Sequence, residues 1–254
     1  MMATIPVALQ LYTVRDDLAR DFLGTLRQVA DMGYTAVEFA GYGDMTAPEL
    51  KKVMDDLGLR GVSTHIPLGQ LEGDPSAAME FARAVGCSHV GCPYLPEDRR
   101  GDAAGYRALA SVLTRAGAKA KEYGLSFFYH NHAFEFERVD GQYALDVLFE
   151  AADANLVNSE FDVYWAQYGN VDPVAYIHKL GRRCTLIHMK DMAPDEARSF
   201  AEVGEGTMDM DAIVAAGQQV GVQWYIVEQD LSKNRPALEA ARLSLRNIKA
   251  KGWA

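Results

Sequence analysis

The stretch LSFFYHNHAFEFERVDGQYALDVLFEAADANLVNSEFDVY, residues 125–164, contains the pattern that decides the fold. Residues 125–130 are mostly aromatic and apolar and predict a buried strand, and residues 143–152 predict an amphipathic helix. Residues 159–164 then predict a second strand. A strand, a helix and another strand in this order are typical of a parallel sheet.

The same alternation continues in both directions along the chain. The predicted strands are residues 7–12, 35–40, 61–66, 89–94, 125–130, 159–164, 185–190 and 224–228. The predicted helices are residues 17–32, 46–57, 75–85, 103–123, 143–152, 173–180, 210–220 and 236–249. Most of these helices stop at a glycine, which accepts the left-handed conformation that ends a helix. Eight such units, with no linker rich in proline, glycine or serine, predict one α/β domain over residues 1–254, a single (β/α)8 TIM barrel.

The composition limits the partners of the chain. Its formal net charge is −10 and no block of consecutive basic residues occurs, so we expect neither a nucleic acid nor a membrane as a partner. Three cysteines without C-x-x-C spacing predict free thiols, and residues 1–10 lack the features of a signal peptide. No apolar run approaches the roughly 18 residues that a membrane span needs. We therefore expect a cytoplasmic protein, and a homo-oligomer remains open.

Polar side chains accumulate where the predicted strands end. Four of the six histidines lie there, namely His65, His130, His132 and His188, and acidic residues lie at the ends of strands two, six and eight. Because the carboxyl ends of barrel strands meet at one mouth, these side chains are expected to converge. Buried imidazoles and carboxylates need a cation or a substrate to satisfy them. Nitrogen and oxygen donors without thiolate suit Mn²⁺, Mg²⁺, Co²⁺ or Zn²⁺.

Five motifs in order resemble one known superfamily of barrels. They are YHNHAFEF at 129–136, EFDVYW at 160–165, HMKD at 188–191, VGEGTMD at 203–209 and YIVEQD at 225–230. With these motifs the chain resembles the xylose-isomerase-like TIM-barrel superfamily and, within it, the sugar phosphate isomerase/epimerase branch. The resemblance spans essentially the whole chain.

The resemblance implies a divalent-metal site at the mouth of the barrel. Ketose epimerases of this superfamily bind one divalent metal ion through Glu, Asp, His and Glu on strands five to eight. Carried over, three of these ligands are Asp162, His188 and Glu228, whereas His130 stands where the strand-five glutamate is expected. His130 has three open roles, as a ligand, as a base or as neither, and Glu135 lies a few residues later. The predicted ligands of one Mn, Mg, Co or Zn ion are therefore His130, Asp162, His188 and Glu228.

The activity implied by the resemblance is that of a sugar, sugar-phosphate or ketose isomerase or epimerase. A proton α to a carbonyl would be removed, and the metal ion would stabilise the enediolate as a Lewis acid. Glu228 is the first choice for proton transfer, with His130 or His132 on the other face of the sugar. Lys190 is the fourth predicted catalytic residue, as a positive charge near an oxyanion, and an ion pair with an acidic neighbour on strand seven or eight is its alternative.

The predicted substrate-binding residues lie at other strand ends and in the loops after them. They are Tyr12, Glu38, His65, Asn131, Glu135, Glu160, Trp165 and Arg198. The expected partner is thus a small-molecule carbohydrate. The loops after strands seven and eight, where barrels often bind phosphate, offer Gly204, Gly206, Lys233 and Arg235, and residues 195–206 have the composition of a lid.

Three alternatives accompany the isomerase or epimerase prediction. Dehydratases of inositol-derived ketones in the same superfamily are also rich in histidine on strand five, so a metal-dependent lyase acting on a keto-inositol or keto-sugar comes first. A barrel that binds sugars without catalysis is more remote and is favoured by the missing strand-five glutamate. A DNA-repair endonuclease of the superfamily is disfavoured because it needs more metal ligands and a basic rim.

Overall fold

The strands of the computed structural model, which describes residues 4–254, close into one parallel barrel. They are β1 (Val7–Gln10), β2 (Ala36–Phe39), β3 (Arg60–His65), β4 (His89–Cys92), β5 (Ser126–His130), β6 (Asn158–Asp162), β7 (Cys184–Met189) and β8 (Trp224–Val227). Each strand pairs with its neighbours along the chain, and β8 pairs with β1 to close the barrel, with Ile226 opposite Ala8. The predicted (β/α)8 TIM barrel is confirmed.

Helices connect the strands around the outside of the barrel. They are α1 (Arg15–Arg20), α2 (Phe22–Asp31), α3 (Ala47–Asp56), α4 (Leu68–Glu72), α5 (Ser76–Ala84), α6 (Ala103–Glu122), α7 (Ala144–Ala151), α8 (Val163–Tyr168), α9 (Pro173–Leu180), α10 (Met210–Val220) and α11 (Ala237–Lys251). Short antiparallel hairpins follow β5 and β7, one joining Arg138–Val139 to Gln142–Tyr143 and the other joining Asp191–Met192 to Phe200–Ala201. Within residues 4–254, no helix combines the length and the apolar character that crossing a bilayer requires.

Three of the predicted elements whose bounds differ in the structure are explained by side-chain hydrogen bonds. The predicted helix 17–32 is two helices, because the Asp21 carboxylate accepts a hydrogen bond from Gly24 N and starts α2. The predicted strand 159–164 ends at Asp162, because this carboxylate accepts from Trp165 N and starts α8. The predicted strand 7–12 ends at Gln10, whose side-chain oxygen accepts from Tyr12 N as a 3₁₀ turn begins.

The apolar core has two parts, one inside the barrel and one between the barrel and its helices. Six side chains form the separate inner cluster: Ala8, Ala36, Val62, Phe128, Leu186 and Ile226. The larger outer cluster includes Val37 and Phe161 from strands and Leu113 and Ile177 from helices. The three cysteines are free and buried, as predicted. Because apolar side chains fill the interior of the barrel, polar side chains meet at the carboxyl ends of the strands.

Gly91 in β4 leaves the space that the Phe128 ring fills inside the barrel. A Cβ at this position would lie 2.2 Å from Phe128 ring atoms, so alanine fits only if the ring or a strand moves. We expect Gly91→Ala to lower the free energy of unfolding by about 1–3 kcal/mol, measured by urea denaturation. Gly101→Ala is the matched control, since no neighbouring heavy atom lies within 4 Å of its added Cβ. Equal stability of the two variants would contradict this packing.

Candidate functional site

Polar side chains from six strands meet at the carboxyl-terminal mouth of the barrel. They are Glu38 on β2, His65 on β3, His130 on β5, Glu160 and Asp162 on β6, His188 on β7 and Glu228 directly after β8. All of them are buried except His65, which is partly exposed. The strand register shifts just before Glu38 and just before Glu160. Such bulges are common beside functional sites because they redirect a side chain.

One group at this mouth, the Asp162 cluster, consists of His130, Asp162, His188 and Glu228. Each residue offers one donor atom, and the four atoms lie within 4.8 Å of one another. His188 Nδ1 lies 2.9 Å from Glu228 Oε2, and His130 Nε2 lies 3.8 Å from Asp162 Oδ2. The structure therefore brings together the four residues predicted as metal ligands.

A second group, the Glu38 cluster, consists of Glu38, His65, Glu160 and His188 and was not predicted as a metal site. Its donor atoms also lie within 4.8 Å of one another. His65 Nε2 lies 2.9 Å from Glu160 Oε2, and His188 Nε2 lies 2.7 Å from Glu38 Oε1. The two clusters thus share His188, whose Nδ1 faces one and whose Nε2 faces the other. A histidine that ligates a metal usually donates its second N–H to a carboxylate, and this geometry fits that arrangement.

Lys190, which follows β7, lies among three carboxylates. Its Nζ is 2.7 Å from Glu228 Oε2, 2.8 Å from Asp230 Oδ2 and 3.0 Å from Asp162 Oδ2. Burial by itself would lower the pKa of Lys190, but these carboxylates outweigh it and hold the pKa well above its ordinary value. The ion pair considered as the alternative for Lys190 is therefore present, with Glu228 and Asp230 as partners and Asp162 as a third.

The pKa values at the site follow from burial and from neighbouring charges. Burial, helped by the Lys190 ammonium, lowers the pKa of His132 to about 3. Burial and the neighbouring imidazoles also hold the pKa of His130 well below its ordinary value. Burial raises the pKa of Asp162 to about 6, although Lys190 and His188 act in the opposite direction. Near neutral pH the site therefore holds neutral imidazoles at His130 and His132 beside ionised carboxylates. Against the effect of burial, the neighbouring carboxylates raise the pKa of His65 to about 10 and that of His188 well above its ordinary value, so these two imidazoles are protonated while no cation is bound.

The residues present fit a divalent cation. Three buried atoms, His130 Nδ1, Asp162 Oδ2 and Glu160 Oε1, make no hydrogen bond within the described part of the chain, although Asp162 Oδ2 lies 3.0 Å from Lys190 Nζ and His130 Nδ1 lies 3.2 Å from Glu160 Oε2. Leaving a buried polar atom without a hydrogen bond costs about 1–3 kcal/mol, so these atoms favour a further ligand at the site. Carboxylate oxygens and imidazole nitrogens are donors that Mn²⁺, Mg²⁺, Co²⁺ and Zn²⁺ accept.

A cavity of about 660 Å³ opens above the clusters and is called the main cavity here. Its polar lining includes His65, His130, His132, Glu228 and Asp230. Three tyrosines, Tyr12, Tyr42 and Tyr94, contribute to its walls. This size lies within the range of about 300–1,000 Å³ that is usual for small-molecule sites.

Two residues predicted to bind substrate instead support the site from behind. The Asn131 side chain accepts from Asp162 N at 3.0 Å and donates to Asp162 O at 3.3 Å, so it holds the end of β6. Glu135 is fully buried and accepts from Tyr129 Oη at 2.7 Å and from His132 N at 2.8 Å. Burial raises the pKa of Glu135 to about 7. These contacts fix the backbone beside Asp162 and His132.

The predicted lid is tied down by its own hydrogen bonds. Arg198 donates to Tyr168 O at 3.0 Å and to Asn170 Oδ1 at 3.2 Å, and it does not line the main cavity. Its guanidinium thus fastens the loop after β7 to the end of α8, which is a different role from the predicted contact with substrate.

The loop after β7 also folds around the Asp191 carboxylate. Backbone N–H groups of Gly204 and Gly206 donate to Asp191 Oδ2 at 2.9 and 3.1 Å, and those of Met192 and Met208 donate to Oδ1 at 2.8 and 3.1 Å. Converging backbone N–H groups form an anion site. Here the protein's own carboxylate occupies it.

Gln10 and Ser63 are site residues that the sequence analysis missed. Gln10 Nε2 donates to Glu38 Oε1 at 2.6 Å, and Ser63 Oγ donates to Glu38 Oε2. A signal was present for Gln10, since it is a polar residue at the end of an apolar strand. Ser63 begins the polar run Ser63-Thr64-His65 at the end of strand three, which is a similar signal.

The fold and the site define a class of protein. In essentially every characterised TIM-barrel enzyme the active site lies at the carboxyl ends of the strands. Here that end carries buried clusters suited to a metal ion and a cavity above them. The chain belongs to the xylose isomerase-like TIM barrel family, whose model matches residues 26–251. The resemblance seen in the five motifs is confirmed.

Proteins similar to this chain in sequence are named inosose dehydratase. The inosose dehydratase of Geobacillus kaustophilus is 28% identical over 194 residues, which cover 67% of this chain and 62% of the relative. The inosose dehydratase of Clostridium botulinum is 28% identical over 165 residues, which cover 58% of this chain and 54% of the relative. The chain thus spans little more than half the length of these curated relatives.

A solved structure extends the likeness to the whole chain. The sugar phosphate isomerase/epimerase from Parabacteroides distasonis superposes with a TM-score of 0.87 at 26% identity. The superposition covers 99% of this chain and 96% of that one.

Proposed function

We propose that this protein is a metal-dependent lyase that removes water from a cyclic polyhydroxy ketone, such as a keto-inositol. The relatives named inosose dehydratase support this choice over the isomerase or epimerase expected first from the sequence. The observation that carries the proposal is the position of the His132 imidazole, which lines the same cavity as His130 and Glu228 of the Asp162 cluster without belonging to the cluster. Elimination needs a base for the carbon-bound proton and an acid for the departing oxygen. An imidazole that has taken the proton becomes an imidazolium, which is such an acid.

The Asp162 cluster is the better place for the metal ion. Glu38 already accepts hydrogen bonds from Gln10 and Ser63, whereas Asp162 Oδ2 makes no hydrogen bond and has the Lys190 ammonium 3.0 Å away. The ligands would be His130, Asp162, His188 and Glu228, with Glu38 orienting His188 from its Nε2 side. A divalent cation bound there would supply Lewis-acid polarisation of the substrate carbonyl, which acidifies the adjacent C–H bond.

His132 is the candidate base, in place of Glu228. Glu228 Oε2 is already engaged by His188 Nδ1 at 2.9 Å and by Lys190 Nζ at 2.7 Å, and Glu228 is a proposed metal ligand. His132 lines the cavity, and its Nδ1 makes no hydrogen bond within the described residues, so it is placed to take the proton α to the carbonyl. It then returns a proton to the hydroxyl that leaves the β-carbon. One C–H and one C–O bond break, one C=C bond forms, and water is released.

Lys190 is the candidate for stabilising negative charge. It remains an ammonium among Asp162, Glu228 and Asp230, and the last two of these line the main cavity. A fixed cation beside the carbonyl oxygen stabilises the charge that develops there when the α-proton leaves.

The substrate is proposed to carry no phosphate. Gly204 and Gly206 donate to Asp191, Lys233 donates to Ser199 Oγ, and Arg235 pairs with Glu202. The groups that were expected to bind phosphate are therefore engaged within the protein. The lining of the main cavity contains acidic side chains but neither lysine nor arginine, which also disfavours an anion.

An isomerase or epimerase is the second candidate. The structure from Parabacteroides distasonis has that name and covers nearly the whole chain. Both reactions begin with loss of a proton α to a carbonyl and differ in whether an oxygen then leaves.

The test uses metal-free protein loaded with Mn²⁺, Mg²⁺, Co²⁺ or Zn²⁺ in turn, with elemental analysis of the loaded protein. A panel of keto-inositols and ketoses is then incubated in D₂O and followed by mass spectrometry. We expect a metal-dependent product lighter than its substrate by one water. A product that has lost no water and differs in mass from its substrate only by incorporated deuterium would favour the isomerase or epimerase. Binding without any turnover would indicate a sugar-binding barrel, and failure to bind any divalent metal in excess would contradict the site assignment.

A further inference from the structure

A second cavity of about 610 Å³ adjoins the main cavity. The two share His132 and Tyr94 in their linings, so these side chains form the boundary between them. Each cavity by itself lies in the range of about 300–1,000 Å³ that holds a small molecule. A single six-membered ring bound over the Asp162 cluster therefore leaves the second cavity unfilled.

The lining of the second cavity has the character of a site for a sugar ring. Five aromatic residues contribute to it: Tyr94, Phe134, Phe136, Trp165 and Tyr168. Polar groups lie among these rings, since Asn170 lines the cavity and Trp165 Nε1 makes no hydrogen bond within the described residues. Aromatic faces pack against the C–H faces of a ring, and a few polar groups fix its orientation.

The charges of the second cavity favour a neutral occupant. Its basic residue, Arg100, lies with its guanidinium carbon 3.5 Å from the Phe134 ring centre and donates to Leu95 O. The acidic residue in the lining of the same cavity is Glu137. With one charge of each sign and the cation already stacked and hydrogen-bonded, the cavity has no free charge with which to select an anion.

We propose that the second cavity binds a second sugar ring that is joined through an ether oxygen to the keto ring in the main cavity. This inference rests on the proposed lyase function and names its substrate class, a keto-sugar glycosidically linked to another sugar. The leaving oxygen then belongs to the second ring, and it leaves across the boundary where His132 lies.

The reaction balances without an oxidant or reductant. The base takes the proton from the carbon α to the carbonyl, and that electron pair forms the C=C bond. The bond from the β-carbon to the bridging oxygen breaks, the oxygen leaves with the electron pair, and it takes the proton back from the base. The products are an unsaturated keto-sugar and the second sugar with a free hydroxyl group.

The first experiment compares kcat/KM of the metal-loaded enzyme for a single-ring keto-inositol, a keto-disaccharide and a phenyl keto-glycoside. We expect the keto-disaccharide to exceed the single-ring substrate by about tenfold or more, with release of one free sugar. Higher activity on the phenyl compound than on the disaccharide would overturn the sugar assignment. Equal or higher activity on the single ring would overturn the second-ring site while leaving the lyase function intact.

The second experiment uses Tyr168→Ala, because Tyr168 lines the second cavity and not the main one. We expect the ratio of kcat/KM for the disaccharide to that for the single ring to fall about tenfold. Tyr123→Ala, a tyrosine at the end of α6 and outside both cavities, is the control and should leave the ratio unchanged. An unchanged ratio in Tyr168→Ala would contradict the proposal.

A binding measurement separates failure of the inference from failure of the proposed function. Calorimetry with an unoxidised disaccharide and its monosaccharide needs no turnover. Tighter binding of the disaccharide that is lost in Tyr168→Ala supports the second-ring site even if no ketone is eliminated. Equal affinities of the two sugars would overturn it.

Discussion

Replacing Glu228 by glutamine should reduce metal-dependent kcat/KM by about 10³-fold while leaving the fold nearly intact. Glu228 Oε2 lies 2.9 Å from His188 Nδ1 and 2.7 Å from Lys190 Nζ, so it contributes both a ligand oxygen and a negative charge. Glutamine keeps the shape of the side chain but removes the charge. The cluster then holds a divalent cation more weakly, and Lys190 is left with two carboxylates instead of three.

The measurement is kcat/KM at saturating metal, together with metal affinity by calorimetry and thermal unfolding followed by circular dichroism. Glu196→Gln is the matched control, because Glu196 is an exposed carboxylate in the loop after β7. A Glu228→Gln protein with full activity would show that the metal ligands and the charge balance of the Asp162 cluster are assigned wrongly.

Lys190→Met should destabilise the metal-free protein by about 3–5 kcal/mol, the cost of leaving buried charges without a partner. Lys190 is 1% exposed and is the shared cation of Asp162, Glu228 and Asp230. Methionine fills similar volume without charge, so the three carboxylates would repel one another in a site with little water. A divalent cation should restore part of the lost stability, because it neutralises two of the same carboxylates.

The pH dependence of this loss has a definite sign. The pKa of Asp162 is about 6 with the lysine present, and removing the lysine raises it further. A carboxyl group with a raised folded-state pKa stabilises the fold while protonated and loses that contribution as pH rises through the folded-state pKa. The destabilisation by Lys190→Met should therefore be larger at pH about 8 than at pH about 5.

Urea unfolding at both pH values, with and without added Mn²⁺, measures these effects. Lys179→Met is the control: Lys179 is paired with Asp146 at 2.6 Å but is half-exposed, and such surface pairs contribute about 0–1 kcal/mol. If the two variants lose the same stability, the three carboxylates do not depend on Lys190 for their charge balance.

Much of the fold was predictable because local patterns specify it. The predicted helix 103–123 matches α6, and the predicted strand 125–130 matches β5 to within one residue. Errors arose where a polar side chain hydrogen-bonds to the backbone nearby. Asp162 ends β6 and starts α8 by accepting from Trp165 N, and an aromatic, β-branched run such as residues 163–165 has strand propensity that this cap overrides.

The candidate site was predictable as a set of residues and not as a set of contacts. Polar residues at the ends of strands must meet in a barrel, and Asp162, His188 and Glu228 do so. Arg198 was expected at the substrate and instead ties two loops together. Its charge and its place in a glycine-rich loop are visible in the sequence, but the carbonyls that take its hydrogen bonds are not.

The amino-acid sequence by itself determined the eight-stranded barrel, the family and the residues at the mouth, because strand and helix patterns and motifs are local properties of the chain. The tertiary structure alone decided how those residues pair. Glu38 and His188 are 150 positions apart and lie 2.7 Å from each other, and Lys190 reaches Asp230 across 40 positions. Such pairings, and the adjoining cavities that His132 separates, depend on where closure of the barrel places distant segments, since electrostatic energy depends on distance in space.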